Sequence, residues 1–588
     1  MDAYALLRAQ FQGEILSAAL VAEPETRRTD ELDLARMAGP ALNYLRGNPD
    51  PARGYECKFD LGPLGLPAHA PQTVPPNEYG HDPVSIGDTD CRMMLQYARM
   101  RAMAGEDTPC EVEQGVRGRV LGYLREDGMA WTNPAAWTGT PIAGYWISKW
   151  ASAKIMSLLA QDFAATGDAE ARQRARKLFA GLKGLAHWDG PRAFYPGGGV
   201  PVKDGEYLAE GWAADHCRNY PSIVEQCLEY AELCGDDEAI DFAVAMTEGF
   251  LAGSQPGQAE MRIDPQTGAF GGHVHLHTHA LIGVARLGIL TGDARYLDWV
   301  ERAYEFVRRH GTDYGWYPEH IPQPRHNAET CVVGDMVGIG VWLAQRHPHC
   351  FDHIARTVRN YLRPNQFFLT DDFLALFERL HATQPRAVVE QALAELRKLE
   401  GGFVSAPAPD DWVRHPDTLG ATGRSHNGID MMGCCPPEGM RGLWEAWRWT
   451  VQELPGGVRI NLPFHRDHPA VRVTAGAPEQ GWVRVEARRA GDVQIRPPAW
   501  ADRAEVSVLR NGQPAPVQWA GPDAAYVTCP QVRQGETLHV HWPVAVFVQR
   551  QTLRSVPRCE FDLTVQWEGN EVEAVDPCGQ VLPIFECC

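Results

Sequence analysis

Three Gly-Asp pairs divide the middle of the chain into helical segments of one design. The pairs Gly167-Asp168, Gly235-Asp236 and Gly292-Asp293 each follow apolar residues at helical spacing. Glycine can take the left-handed conformation that ends a helix, and the following aspartate can cap the next helix. The pairs lie 68 and 57 residues apart, which suits one helical hairpin per repeat. This pattern predicts a closed toroid of hairpins, an (α/α) barrel, with an open helical solenoid as the alternative.

The pattern changes after Thr450. Short segments with alternating apolar residues, such as Trp482 to Glu486 and Leu538 to His541, replace the helical spacing. Asn511-Gly512 is a typical hairpin turn. The sequence therefore predicts a helical domain over 1–450, with a divergent N-terminal segment, and a β-sandwich domain over 451–588. The stretch Leu61 to Pro83 is rich in Pro and Gly and predicts a surface loop.

Composition excludes some classes of partner. The chain has 588 residues and a net charge of −20, which argues against binding to a phosphate backbone. It contains no run of eighteen apolar residues, so no membrane partner is expected. The first twenty residues lack the features of a secretory signal. Together with an odd count of 15 cysteines, this favours reduced thiols and a cytoplasmic location. The composition indicates no particular oligomeric state.

Two cysteine clusters are candidates for metal binding. Glu329-Thr-Cys331 precedes an apolar stretch, and Cys434-Cys435-Pro-Pro-Glu438 lies about a hundred residues later. Adjacent cysteines do not readily bridge each other, but both thiolates can reach one metal. One carboxylate with three sulfurs is a plausible four-coordinate zinc set. Buried thiols without a ligand are the alternative.

A run of four histidines precedes the third Gly-Asp pair. It alternates through His273, His275, His277 and His279. On a helix, His275 and His279 share one face, so a second metal site is one interpretation. We favour a polar patch on a pocket wall, where neutral imidazoles form hydrogen bonds.

Carboxylates between the histidine run and Cys331 are candidates for a general acid. Asp313 and Glu319 lie in a loop that leads directly to Glu329. An acid beside a metal-bound thiolate would be useful in catalysis, although a solvated loop acid is the more common case.

Tryptophan is abundant in the helical part. Sugar rings stack well on aromatic faces, whereas core packing must account for most of these side chains. The candidates are Trp131, Trp137, Trp146, Trp150, Trp188 and Trp212.

Taken together, these motifs resemble those of the β-L-arabinofuranosidase-like enzymes of glycoside hydrolase family 127. The matching pieces are Gly272-His273, Thr291-Gly-Asp293, Glu329-Thr-Cys331 and Cys434-Cys435-Pro-Pro437. The stretch Val493 to Ala501 followed by Asn511-Gly512 resembles the accessory β-domain of that family. The resemblance covers roughly Trp146 to Val544.

The resemblance implies an all-α (α/α)6 barrel that holds one zinc ion, followed by a C-terminal β-sandwich. Glu329, Cys331, Cys434 and Cys435 would be the zinc ligands. Cys434 would also be the nucleophile of a retaining glycosidase, because a metal-held thiol is deprotonated at neutral pH. His273 matches a histidine that contacts the sugar, and we extend substrate binding to His277.

The acid/base residue departs from the family pattern. The family has a glutamate sixteen residues before the metal-ligand glutamate, and that position here is Asp313. Glu319 has the right side chain but lies ten residues upstream of Glu329. Both remain candidates, with Glu319 preferred on residue type. The two-carboxylate scheme common to glycosidases is replaced by one acid and one thiolate.

Three classes of function follow from these observations. The first is a zinc-thiolate glycosidase acting on a β-L-arabinofuranoside or a related sugar. The second is a polysaccharide lyase or sugar epimerase on the same barrel, with the histidines and carboxylates as acid and base. The third is a non-catalytic carbohydrate-binding protein that zinc stabilises.

Overall fold

The fold is taken from a computed structural model, which describes most of the chain after residue 31. The described residues are 32–57, 60–61, 85–132, 146–195, 200–203, 206–207, 221–253, 262–322, 328–413, 429, 431–477, 480–554, 560–579 and 581–588. The predicted loop from Leu61 to Pro83 lies almost wholly outside these ranges. Among the helices described, none has the length and apolar character needed to cross a bilayer.

Helices make up most of the described chain before Val451. In chain order, α1 to α14 are Leu34–Gly47, Ser85–Ala104, Glu111–Leu121, Lys149–Thr166, Ala169–Leu185, Val224–Cys234, Asp237–Leu251, Val274–Thr291, Ala294–His310, Thr330–Leu343, Cys350–Thr357, Asp371–Leu380, Arg386–Arg397 and Cys435–Thr450. A π-helical turn over Val358–Leu362 extends α11.

Six of these helices contact one another in a closed cycle. The cycle runs α2, α4, α6, α8, α10, α14 and back to α2. At least one further helix packs against each member: α1 and α3 against α2, α5 against α4, α7 against α6, α9 against α8, α11 against α10, and α1 also against α14. Five of the six members, α2, α4, α6, α8 and α10, are alternate helices along the chain. Each helical hairpin therefore contributes one helix to the cycle and one helix that packs against it. The last helix of this set, α14, therefore contacts the first, α2.

The Gly-Asp pairs end and begin helices as predicted. Gly167, Gly235 and Gly292 follow the last residues of α4, α6 and α8, and all three have φ near +70°. Asp168 and Asp293 accept hydrogen bonds from backbone N–H groups two residues later. Asp236 differs, because its carboxylate accepts a 2.8 Å hydrogen bond from the Tyr230 hydroxyl instead.

Short strands connect the helices at several points. The strand Gly272–His273 pairs with His320–Ile321 at the start of α8, and Asp60–Leu61 pairs with Met431–Met432 just before α14. The remaining strands in the helical part are Pro49–Asp50 with Glu56–Cys57, His187–Asp189 with Arg192–Phe194, and the set Trp131–Thr132, Trp146–Ile147, Val200–Lys203 and Glu206–Tyr207.

Two sheets follow α14 and share one apolar core. The first contains, in spatial order, Val451–Leu454, Gly457–Ile460, Gly491–Ile495, Tyr526–Val532 and Trp519–Ala520. The second contains Arg466–Asp467, Val471–Ala475, Trp482–Ala487, Thr537–His541, Ser507–Arg510 and Gln513–Ala515. Inward residues of both, such as Ile495 and Val485, belong to one buried cluster. Asn511 and Gly512 both have positive φ and form the predicted hairpin turn.

The last sheet packs on the helices rather than on the two sheets before it. It contains Val546–Arg554, Glu560–Glu568, Glu571–Asp576 and Glu586–Cys587. Leu563, Trp567 and Leu582 belong to the same buried cluster as the helical residues. The helical core therefore takes residues from both sides of the predicted boundary at Thr450, although α14 does end there.

One pair of cysteines corrects the expectation of reduced thiols. Cys578 and Cys587 form a disulfide, with their Cα atoms 5.2 Å apart. The short strand Glu586–Cys587 runs parallel to Ala574 and Val575, and this pairing brings Cys587 back to Cys578. The cytoplasmic location stays a prediction.

Candidate metal centre and active site

Glu329, Cys331, Cys434 and Cys435 meet at one buried point. Their ligand atoms all lie within 4.8 Å of one another. Cys331 Sγ is 3.4 Å from Cys435 Sγ, which in turn is 3.9 Å from Cys434 Sγ. Each of the four residues is at most 9% exposed. The structure therefore brings together all four residues that were predicted as metal ligands.

Two helix starts place these side chains. Glu329 and Cys331 lie at the beginning of α10, and Cys434 and Cys435 at the beginning of α14. The segment around Ser405 joins the two starts, because its carbonyl accepts a hydrogen bond from Thr330 N and its Oγ accepts one from Met432 N. The prolines after Cys435 occupy the first turn of α14, where a missing N–H is tolerated.

The donor set fits a zinc ion. With Zn–S bonds of about 2.3 Å, a tetrahedral site separates its sulfurs by roughly 3.8 Å, close to the 3.4 Å and 3.9 Å of this cluster. Burial raises the pKa of Cys331 and Cys435 well above that of an ordinary thiol. These two thiols would therefore stay neutral by themselves, whereas a cation in the cluster would favour thiolate forms.

His273 contacts this cluster through Glu329, and Glu319 lies beside the strand that pairs with His273. His273 Nε2 lies 2.6 Å from Glu329 Oε2, and the His273 side chain is 27% exposed. The pairing of His273 with His320 places Glu319 beside the start of α8, where its carbonyl accepts a 2.9 Å hydrogen bond from Val274 N. The Glu319 side chain is 9% exposed. The backbone of Glu319 therefore adjoins that of His273, and the Glu319 carboxylate lies 3.8 Å from His320 Nδ1.

The Asp313 carboxylate is held by hydrogen bonds from α9 and from the last sheet. One carboxylate oxygen accepts a 2.9 Å hydrogen bond from Arg308, and the other accepts a 2.6 Å hydrogen bond from Gln549 of the last sheet. Both oxygens therefore take part in packing the 311–317 loop between α9 and that sheet.

The other histidines of the run point into the protein. His277 is fully buried, stacks on Phe270 at 4.2 Å between ring centroids, and its Nδ1 lies 2.9 Å from the His273 carbonyl. His275 and His279 are also buried. Contact of His277 with a sugar stays a prediction, while its observed contacts hold His273 in place.

His275, His279 and Asp335 form a second group close enough to hold a metal. In this group, however, both oxygens of Asp335 and both ring nitrogens of His275 already have partners, whereas the buried His279 Nε2 has none among the described residues. Asp335 accepts from Thr278 at 2.6 Å and lies 2.7 Å from His275 Nδ1, and Arg441 forms an ion pair with it. An arginine cannot accept a hydrogen bond, so His275 Nε2, 3.2 Å from Arg92, accepts one and its Nδ1 carries the proton.

A buried network of charges surrounds this second group. Glu438 is 2.6 Å from Arg441 Nε and accepts a 2.8 Å hydrogen bond from Arg92. Burial opposes charge on Glu438, but Arg441 and Arg92 outweigh it and hold its pKa below the usual range. Burial likewise opposes charge on Asp335, and His275, His279 and Arg441 lower its pKa. Both carboxylates are therefore ionised inside the helical ring.

Sequence reasoning did not find this network. Asp335 is a single acid in the otherwise apolar helix α10, and Glu438 ends the second cysteine motif. A lone acid in an apolar helix was the available signal, but its arginine partner, Arg441, lies 106 residues away on another helix.

The tryptophans divide between core and surface. Trp150 is 5% exposed and lies between Arg92 and Lys154, whereas Trp188 is 48% exposed and remote from the helix starts. Trp131 is partly buried. Trp137, Trp212 and the side chain of Trp146 lie outside the described residues.

Solved structures of glycoside hydrolases have a similar fold. The crystal structure of a family 127 β-L-arabinofuranosidase from Geobacillus stearothermophilus T6 matches 97% of this chain and 85% of its own, with a TM-score of 0.55 and 14% identity. A second family 127 β-arabinofuranosidase matches 96% of this chain and 82% of its own, with the same TM-score and identity. At this identity the likeness shows a shared fold. No family model and no curated protein sequence matches the chain.

Proposed function

We propose that this protein is a retaining glycoside hydrolase whose nucleophile is the Cys434 thiolate, held with zinc by Glu329, Cys331 and Cys435. The observation that carries the proposal is the convergence of three thiols and a carboxylate at the starts of α10 and α14. The shared fold with two β-arabinofuranosidases supports a sugar substrate. In this proposal the helical cycle is an (α/α)6 barrel and residues 451–545 form an accessory β-sandwich.

The chemistry divides between a thiolate and an acid. Zinc, when bound, keeps the thiols deprotonated at neutral pH. Cys434 Sγ forms a bond to the anomeric carbon while the bond to the leaving oxygen breaks, and that oxygen takes a proton from Glu319. Water then attacks the same carbon, gives its proton to Glu319 and releases the Cys434 thiolate. Two inversions at one carbon give net retention.

Glu319 is the preferred acid/base residue because of its surroundings. It adjoins His273 through the strand pairing, whereas both oxygens of Asp313 bind Arg308 and Gln549. A proton donor needs a carboxyl that can reach the leaving oxygen. The Glu319 side chain is buried, and its Oε1 lies 3.8 Å from His320 Nδ1.

The proposed substrate is a β-L-arabinofuranoside or a sugar of similar size. We propose this sugar for two reasons. The two similar structures are described as β-arabinofuranosidases, and the motifs of this chain resemble those of that family. A lyase or epimerase using the histidine run is less favoured, because three of its four histidines are buried and bonded within the protein.

The proposal is tested by metal content and by hydrolysis. We expect about one zinc per chain in protein purified without chelator, and hydrolysis of an aryl β-L-arabinofuranoside with retention followed by NMR. Cys434→Ser should reduce kcat by at least a hundredfold and weaken zinc binding. Cys227→Ser is the matched control, since Cys227 is also a fully buried thiol of an inner helix, and it should leave both properties unchanged.

Two outcomes would contradict this function. One is full activity in Cys434→Ser. The other is a wild-type protein with no metal and with thiols that titrate as ordinary cysteines. A protein that binds zinc and a sugar tightly but never hydrolyses a panel of furanosides and pyranosides would instead be the non-catalytic binding protein.

A further inference from the structure

Helices α10 and α14 approach each other unusually closely just below the thiol cluster. A Cβ atom on Gly334 would lie 2.2 Å from the Glu438 carbonyl oxygen, and one on Gly442 would lie 3.0 Å from Gly334 Cα. Only glycine fits at such a distance. Cys331 lies one turn before Gly334, and Cys435 two turns before Gly442. The separation of the thiols therefore depends on this crossing.

Arg441 is the side chain that joins the two helices at the crossing. From α14 it forms ion pairs with Asp335 of α10 and with Glu438 one turn earlier on its own helix. Its Nη1 also lies 3.4 Å from Glu225 of α6. The Arg441 side chain is 5% exposed, and those of Asp335 and Glu438 are 0% and 2%. These charges are desolvated, so the geometry of each pair is strongly preferred.

Arg441 also affects the group of His275, His279 and Asp335. Its guanidinium supplies the positive charge that a metal ion would otherwise bring to this group. Asp335 Oδ1 contacts Arg441, and Asp335 Oδ2 accepts from Thr278 and is paired with His275. His275 Nε2 accepts from Arg92. A divalent cation would have to displace these bonds beside a guanidinium, which electrostatic repulsion opposes.

We propose that Arg441 is a positioning residue for the thiol cluster, and that it acts by fixing the crossing of α10 and α14 through Asp335 and Glu438. It contacts none of the four proposed ligands in the described structure. The inference rests on the part of the proposed function that assigns a metal to these four residues. Groups that support metal ligands commonly change metal affinity by tenfold to a hundredfold when altered.

The test is a Co²⁺ titration of apo protein, with Zn²⁺ affinity measured by competition with a chromophoric chelator. We expect Arg441→Met to bind Zn²⁺ at least tenfold more weakly and to show a weaker thiolate-to-cobalt charge-transfer band. Arg441→Lys keeps the charge but loses the planar fork, so its affinity should fall between those of Arg441→Met and wild type.

Arg359→Met is the matched control. Arg359 forms a buried ion pair with Glu571, and both side chains are 5% exposed, but this pair joins the π-helical turn to the last sheet. The control should lose stability as Arg441→Met does, yet keep wild-type Zn²⁺ affinity and the wild-type cobalt spectrum. A general loss of packing would affect the two variants equally.

Two further variants keep the test decisive if Arg441→Met does not fold. Asp335→Asn preserves shape but removes one charge of the pair, and Gly334→Ala forces the helices apart without changing any charge. Both should weaken Zn²⁺ binding by at least fivefold. A folded Arg441→Met, Asp335→Asn or Gly334→Ala protein with wild-type Zn²⁺ affinity and cobalt spectrum would overturn the proposal, as would two tightly bound metal ions per wild-type chain.

Failure of the proposed hydrolase function can be distinguished from failure of the proposed role of Arg441. If wild-type protein binds one zinc but hydrolyses no sugar, the role of Arg441 is still decided by the metal titrations. If wild-type protein binds no metal at these four residues, both proposals fail together, and the cobalt spectrum identifies that case.

Discussion

At the scale of single residues, the proposed chemistry depends on which of two carboxyl groups acts as the acid. Asp313 and Glu319 lie in one loop and were both candidates from the sequence. Spacing favoured Asp313 and side-chain type favoured Glu319. The distinguishing contact is the hydrogen bond from Gln549 to Asp313, which spans 236 residues. A pairing of that range has no local sequence signal, so it could not be predicted.

The assignment of the acid predicts different effects for two isosteric substitutions. Glu319→Gln should lower kcat on a substrate with a poor leaving group by about a hundredfold or more, because no proton reaches the departing oxygen. The loss should be much smaller on a substrate with an activated aryl leaving group, which needs no proton. Asp313→Asn should change kcat by less than about fivefold and mainly lower the melting temperature.

Steady-state kinetics on both substrates checks this prediction. The reverse pattern, with the large and leaving-group-dependent loss in Asp313→Asn, would transfer the role of acid to Asp313. An equal loss on both substrates in Glu319→Gln would point to a positioning role for Glu319.

At the scale of elements, local patterns predicted the helices and strands well. The ends of α4, α6 and α8, the turn at Asn511 and the change from helices to strands at Thr450 all follow from residues within one or two turns. The four predicted ligands lie together in the structure, and the distinctive motifs that contain them are what suggested this grouping; their role as ligands stays a prediction. The crossing of α10 and α14 was not predicted, because Gly334 and Gly442 acquire meaning only when the two helices meet.

Helix α8 buries imidazoles, and this predicts a pH dependence of stability. Burial lowers the pKa of His279 to about 3, although Asp335 opposes the shift. Trp150, His275, Asp335 and Arg441 surround it. In the unfolded chain a histidine binds its proton near pH 6.5. Between pH 6.5 and about 3 the unfolded state therefore gains a proton that the folded state does not accept, and stability falls as pH falls.

Urea unfolding at pH 7 and pH 5 measures this effect. The free energy of unfolding should drop by roughly 2 kcal/mol from this one residue over that interval. His279→Gln keeps an amide donor and does not titrate, so its stability should fall by correspondingly less over the same interval. Identical pH slopes in the two proteins would mean that His279 is protonated in the folded state.

At the scale of the whole molecule, the last sheet belongs energetically to the helices. Trp567 is fully buried in the helical core, with Arg356 4.7 Å above its ring. Arg359 and Asn360 bind Glu571 and Asn570. Asp410 and Asp411 accept hydrogen bonds from backbone N–H groups between Gly579 and Phe585. A division at Thr450 therefore separates residues that share one core, and we propose that 546–588 be grouped with the helices.

If the last sheet and the helices share one core, a mutation in the sheet should destabilise both. Trp567→Ala should cost about 3–5 kcal/mol, and hydrogen exchange should show loss of protection in α11 as well as in the sheet. Trp188→Ala, at a half-exposed position of the helical part, should cost far less. Loss of protection confined to residues 546–588 would contradict the grouping and indicate an independent unit.

The position of that sheet has a consequence for how the protein is made. Synthesis is vectorial, and the helices emerge from the ribosome long before residues 546–588 do. Until those residues arrive, the helical core lacks Leu563, Trp567 and Leu582, and its apolar surface is open to water. Folding of the helical unit is therefore completed only after residues 546–588 have been synthesised. A nascent chain stalled before residue 546 therefore exposes apolar surface to which chaperones and proteases can bind.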